Sequence, residues 1–176
     1  RRKAEIGEAF PLPNNDVIEF ETSTSFTSSE ALPRENIPAN NIAASPSQLL
    51  EDARLTEEIV IAKLEKEFGQ VATRNVEIPK AGVSFDAFIS GAKKSTFAEV
   101  KLLTKPLLQL GTLERVLYSG LLAERTLNGN FHLVLVVVYT FPKASLERIA
   151  RSWRRKVDKC PIEVDLRIIA REDLNS

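Results

Sequence analysis

The chain reads as an α/β domain in which a mixed β-sheet is flanked by helices. Three observations carry that reading. Apolar residues recur at helical spacing between Ser45 and Gly69, two strand-like runs flank a short Gly-containing turn at 91–94, and Phe131 to Tyr139 is a nearly unbroken, valine-rich apolar run. Helical period, strand alternation and a doubly apolar strand together point to a sheet covered on both faces.

Residues 1–44 are rich in Pro, Asn, Ser and Thr, with apolar residues too scattered for a sustained period. They predict an irregular linker or arm, with one short strand at Val17 to Phe20 and a plain loop over the Ser/Thr cluster 22–29. The remainder, 45–176, predicts a single domain. Ser45-Pro46-Ser47 supplies a helix start, and Leu49, Leu50, Ala53, Glu57, Val60, Ile61, Leu64 and Phe68 follow at helical spacing until Gly69 ends it. Val71 to Ile78, closed by Pro79, is the next strand.

Val83 to Ser90 and Ser95 to Leu102 then form a predicted β-hairpin. If Ser90 faces Ser95, Asp86 falls opposite Glu99, Ser84 opposite Lys101 and Phe88 opposite Phe97, all on one face. The other face receives Phe85, Ala87, Ile89, Ala98, Val100 and Leu102, an apolar surface suited to a core. Facing carboxylates with Cβ atoms roughly 5 Å apart repel, and a divalent cation between them removes that cost. Hard oxygen donors, with waters and a phosphate, are what Mg²⁺ uses at phosphoryl-transfer sites. Lys101 adds a positive charge able to orient the attacking water or neutralise charge on the phosphate. On this reading, deleting either carboxylate relieves repulsion and leaves the metal-free protein no less stable.

Asp86 followed by Glu99-Val100-Lys101 resembles the signature of the PD-(D/E)xK nuclease superfamily, the restriction-endonuclease-like fold, over roughly Leu49 to Tyr139. Phe85 stands where many members have proline. The resemblance implies an αβββαβ core, here with a helix and a strand appended, and metal-dependent phosphodiester hydrolysis. It implies Mg²⁺ or Mn²⁺ held by Asp86, Glu99 and the Val100 carbonyl, with Lys101 assisting the water. A helix-borne acid, Glu57 or else Glu58, supports the cluster. DNA is the implied substrate, with RNA as the alternative. A nuclease-like module that binds nucleic acid or protein without cutting is the second reading, and an exposed structural hairpin the third.

Pro106 starts a further predicted helix with a leucine stripe at 110, 113, 117, 121 and 122. Lys105, Gln109 and Arg115 lie on or beside it as candidate substrate contacts. Glu114 precedes Tyr118 where exonuclease-type members carry glutamine. After the turn at Asn128-Gly129-Asn130, the run 131–139 predicts a central parallel strand, and His132 at its start receives no role. Ala144 to Val157 predicts a helix and Ile162 to Ile169 a strand, together a parallel crossover. Arg151, Arg154 and Arg155 make that helix basic around Trp153, and they are candidate nucleic-acid contacts.

At 176 residues, with 43% hydrophobic and 27% charged content, the chain has the composition of a globular domain. Its longest apolar run is only strand length, and nothing at the start resembles a signal peptide. A lone Cys160 excludes an intrachain disulfide. These features predict a cytoplasmic, intracellular setting with no membrane partner. The absence of Met predicts a piece of a longer parent with other domains, and a homo-oligomer is compatible with it. Net charge is zero, yet residues 1–70 hold 7 Lys/Arg against 13 Asp/Glu while residues 71–176 hold 17 against 11. The basic second part suits a polyanion partner.

Overall fold

The computed structural model describes residues 45–91 and 94–175. The arm expected over 1–44, its strand at Val17–Phe20 and the middle of the 91–94 turn lie outside the described residues.

Helix α1 (Pro46–Phe68) starts and stops where local chemistry dictates. The Ser45 side chain accepts from the Gln48 N–H, and the Gln48 side chain accepts in return from the Ser45 N–H at 2.8 Å. Pro46 then occupies a position whose missing N–H costs nothing. Gly69 closes the helix at φ 64°, a left-handed conformation that glycine adopts without penalty. Strands β1 (Ala72–Ile78), β2 (Val83–Ile89) and β3 (Ser95–Leu103) follow, then α2 (Leu110–Thr126), β4 (Phe131–Tyr139), α3 (Lys143–Val157) and β5 (Val164–Ala170). A 3-10 turn, Arg171–Asn175, ends the described chain.

The five strands lie in sequence order across one mixed sheet. β1, β2 and β3 are antiparallel neighbours, while β3, β4 and β5 are parallel. Both parallel connections step in the same direction, so crossovers of one hand must place α2 and α3 on the same face. They share a core with Phe97, Leu133, Leu135 and Val137. α1 covers the opposite face through Val60, Ile61 and Leu64, packed on Ala98, Val134 and Val136. β4 therefore buries both faces, as its valine run predicts.

Two expected boundaries move. α2 begins at Leu110 rather than Pro106, because Gln109 takes a left-handed conformation at φ 44° and its carbonyl accepts from Thr112 and Leu113. β5 begins at Val164, and Ile162 instead seats against α2. A Cβ at Gly120 would lie 2.6 Å from the Ile162 Cδ1, so the missing side chain sets how closely α2 approaches.

One assignment of faces is corrected. Ala87, Ile89, Ala98, Val100 and Leu102 pack under α1 as expected, but Phe85 joins Phe97 and Phe131 on the α2 side. The same exchange occurs in β1, where Ala72 packs under α1 while Val76 and Ile78 face α2. Between them sits Asn75 at φ 49°, opposite Asp86 in a register that skips this pair. Left-handed backbone at Asn75 breaks strict alternation in both strands.

Trp153 does not present its ring to solvent. It is fully buried, and its Nε1–H donates to the Leu108 carbonyl at 2.6 Å, tying α3 to the loop before α2. Trp153→Phe is expected to cost about 1–3 kcal/mol by leaving that carbonyl unpaired, and Trp153→Ala about 3–5 kcal/mol through the added cavity. Urea unfolding of the two variants beside the parent checks this ordering; a Trp153→Phe midpoint equal to the parent's would show that the indole hydrogen bond contributes nothing.

Candidate functional site

β2 and β3 pair only at Ala87–Ala98, Phe88–Phe97 and Ile89–Thr96. The pairing stops at the next position, where Asp86 and Glu99 stand. Beyond it the strands diverge, and each carboxylate serves a backbone donor that the ladder no longer satisfies. Asp86 Oδ2 accepts from the Val100 N–H at 2.7 Å, and Glu99 Oε2 lies 3.4 Å from the Asp86 N–H. Lys101 Nζ is 2.6 Å from Glu99 Oε1. The three pairs that form keep the register read from the sequence, but the expected Asp86–Glu99 and Ser84–Lys101 pairs are not made; side-chain bonds instead gather Asp86, Glu99 and Lys101 at the crotch of a fork.

Glu57 belongs to the same electrostatic cluster. Burial raises its carboxyl above the ordinary 4.5, and the charges of Asp86, Glu58 and Glu99 act in the same direction while Lys101 opposes them. Glu58, one residue along α1, turns instead to Arg74 of β1 at 3.4 Å. Glu99 is the more enclosed acid. Desolvation raises its carboxyl, Asp86 adds to the rise, and Lys101 with the Asp86 N–H works against it.

Among the described residues no group of three or more His, Cys, Asp or Glu stands ready to hold a metal ion. The donor set at the fork is two carboxylates, and Mg²⁺ commonly takes one or two, with water and substrate oxygens completing its shell. Asp86 and Glu99 fit that requirement: they are like charges, partly desolvated, whose mutual cost a cation would offset. The Val100 carbonyl, on the strand edge that carries its N–H, faces the fork as well.

Between the diverging strands and α2 lies a cavity of about 250 Å³. Ser84, Glu99, Lys101 and, from α2, Thr112, Arg115 and Ser119 supply its polar lining. Positions 112, 115, 116 and 119 repeat at helical spacing, so one stripe of α2 forms the wall. The sequence reading missed Thr112 and Ser119; hydroxyl residues in step with Arg115 were the available signal. Lys105 lies on the exposed loop after β3 and does not line this cavity. Glu114 is engaged with Lys156 of α3 at 2.5 Å, a contact between helices.

Arg151, Arg154 and Arg155 are exposed on α3 and line a separate groove together with Lys143 and Lys159. His132 sits at the far, N-terminal end of β4, with Nδ1 3.4 Å from the Thr96 hydroxyl and Nε2 4.0 Å from Glu163. No helix among the described residues is long and apolar enough to cross a membrane. No family model, curated protein or solved structure matches the chain.

The hydrogen bonds at the fork change one expectation. Removing the Asp86 carboxylate would strand the buried Val100 N–H, a loss of about 1–3 kcal/mol that relief of repulsion must overcome. Asp86→Asn keeps an acceptor in place. Glu99, by contrast, binds its proton more tightly in the folded protein than in the unfolded chain. The associated stability is therefore full below 4.5 and is lost as pH rises through the higher native value. Glu99→Gln lacks this loss. In cation-free buffer its melting temperature should gain on that of the parent as pH is raised from 4.5 towards neutrality. An offset constant across that range would show that folding does not perturb the Glu99 carboxyl.

Proposed function

We propose that the domain is a divalent-cation-dependent nuclease of the PD-(D/E)xK type, hydrolysing phosphodiester bonds in DNA. The observation that carries this reading is the convergence of Asp86, Glu99 and Lys101 at the β2–β3 fork, with Glu57 in the same field. Asp86, Glu99 and the Val100 carbonyl would hold Mg²⁺ or Mn²⁺. Bound there, the cation supplies Lewis-acid polarisation of the phosphoryl group and a more acidic water.

The chain's own residues account for the rest. Lys101 keeps a positive charge beside Glu99, where it offsets negative charge gathering on the phosphate and orients the attacking water. Glu57, whose carboxyl is raised by burial and by its acidic neighbours, is a proton acceptor and hydrogen-bond partner at the edge of the cluster. Arg151, Arg154 and Arg155 lie on the same side of the sheet as α2 and supply phosphate contacts away from the fork. DNA is the substrate implied by the resemblance, and RNA offers the same phosphodiester chemistry.

Asp86→Asn, Glu99→Gln and Lys101→Ala are each expected to lower Mn²⁺-dependent plasmid cleavage by roughly a hundredfold or more, the scale of losing a general acid–base or charge-stabilising group. Mn²⁺ should raise the melting temperature of the parent and leave Asp86→Asn and Glu99→Gln unmoved. Cleavage at parental rate by all three variants would remove the nuclease assignment and favour a binding module.

The basic helix makes a separate claim. Replacing Arg151, Arg154 and Arg155 together by Ala should weaken DNA binding and flatten the log–log salt slope by about 0.9 for each phosphate no longer neutralised. Affinity and slope identical to those of the parent would return these arginines to ordinary surface charges.

A further inference from the structure

We propose that the cavity between the β2–β3 fork and α2 is a phosphate subsite, in which Arg115 grips the substrate-strand phosphate next to the one being cleaved. This rests on the nuclease reading of the adjoining acids. Three features of the cavity carry it, and each is independent of the metal.

The first is charge. Glu99 in the cavity wall is already neutralised by Lys101 at 2.6 Å, so Arg115 leaves the lining with an excess positive charge. The second is availability. Arg74, Arg167 and Arg171 are each tied to a carboxylate. Arg115 enters no ion pair or side-chain hydrogen bond among the described residues, so its donors are free for a ligand. A guanidinium presents its donors in a planar fork that matches two phosphate oxygens.

The third is the remaining lining. Ser84 enters from β2, and Thr112 and Ser119 flank Arg115 one turn away on each side. Their hydroxyls donate to phosphate oxygens. Phe85 and Val116 form an apolar wall against which a sugar can lie. At about 250 Å³ the space equals about eight water molecules at ~30 Å³ each, enough for a phosphate and part of a sugar. Because Glu99 and Lys101 line both this cavity and the fork, a strand held here presents its next phosphate to the acids.

The test separates this subsite from the nuclease reading by including a measurement that needs neither metal nor turnover. Isotope-labelled full chain in EDTA is titrated with inorganic phosphate and with a short DNA oligonucleotide, following the amides of Ser84, Thr112 and Ser119. Both ligands should shift these amides, the oligonucleotide at lower concentration. Arg115→Gln should weaken both by roughly ten- to a hundredfold, the worth of a hydrogen bond to a charged group. Arg125→Gln, an exposed arginine in the last turn of the same helix, should leave them unchanged. Gln favours helix about as well as Arg, so the replacement preserves α2.

Absence of a response at these amides, or an equal response in Arg115→Gln, overturns the subsite even if the parent cleaves DNA. A response from phosphate alone, with none from the oligonucleotide, overturns the assignment to a substrate strand. An Arg115-dependent response to both ligands in a protein that cleaves nothing keeps the subsite and removes the nuclease reading. In a cleaving protein, a methylphosphonate one position from the cut should slow the parent and add little to Arg115→Gln.

Discussion

The separation of β2 from β3 at a single level of the sheet governs everything around the candidate site. Antiparallel pairing is continuous from Ile89–Thr96 to Ala87–Ala98 and then gives way to bonds between side chains and backbone. A carboxylate takes over the role of a strand neighbour, which keeps the backbone satisfied while the strands diverge. The same substitution fixes where the acids point. Asp86 cannot swing away from Val100 without abandoning a buried donor, so geometry that serves the fold also holds the chemical groups in position.

The fork opens onto a cavity because the layers leave room for it there. Strand order follows chain order, so both crossover helices fall on one face and α1 alone covers the other. α2 then lies beside the diverging strands and contributes a wall of Thr112, Arg115, Val116 and Ser119. Glu57 acts on the cluster from the opposite layer. The acids thus experience both layers at once, which accounts for the upward shift of Glu57 and Glu99: burial comes first in each case, and like charges add to it.

Much of this was legible in the residues. The limits of α1 follow from Ser45, Pro46 and Gly69, and the valine run of β4 announces a strand buried on both sides. Register follows from Ser90 facing Ser95 across the turn, since a slip of one residue puts Asp86 in the apolar layer. The choice between Glu57 and Glu58 was not legible, because it depends on Arg74 of a neighbouring strand capturing the second acid. Phe85 was misplaced for a similar reason. Alternation presumes uniform extended backbone, and the left-handed residue that disturbs it, Asn75, belongs to β1 rather than to β2 or β3. The start of α2 was hidden in the backbone of Gln109, where the proline nearby gave the stronger but misleading signal. The polar wall of the cavity exists only once α2 is laid against β2 and β3.

The shortness of β2–β3 pairing has a mechanical consequence. β1 and β2 share six residue pairs, β3 and β4 nine, and β4 and β5 seven, whereas the seam between the hairpin and the parallel half of the sheet has three. Separating the two halves there breaks the fewest backbone bonds. Packing under α1 bridges that line through Ala87 and Ile89 on one side and Ala98 and Val100 on the other. Local opening is therefore cheapest along the line that carries the acids, with the helix acting as its clasp. The fork where the nuclease reading seats its substrate is thus also the most sparsely paired seam of the sheet, while β3, β4 and β5 are joined by nine and seven pairs.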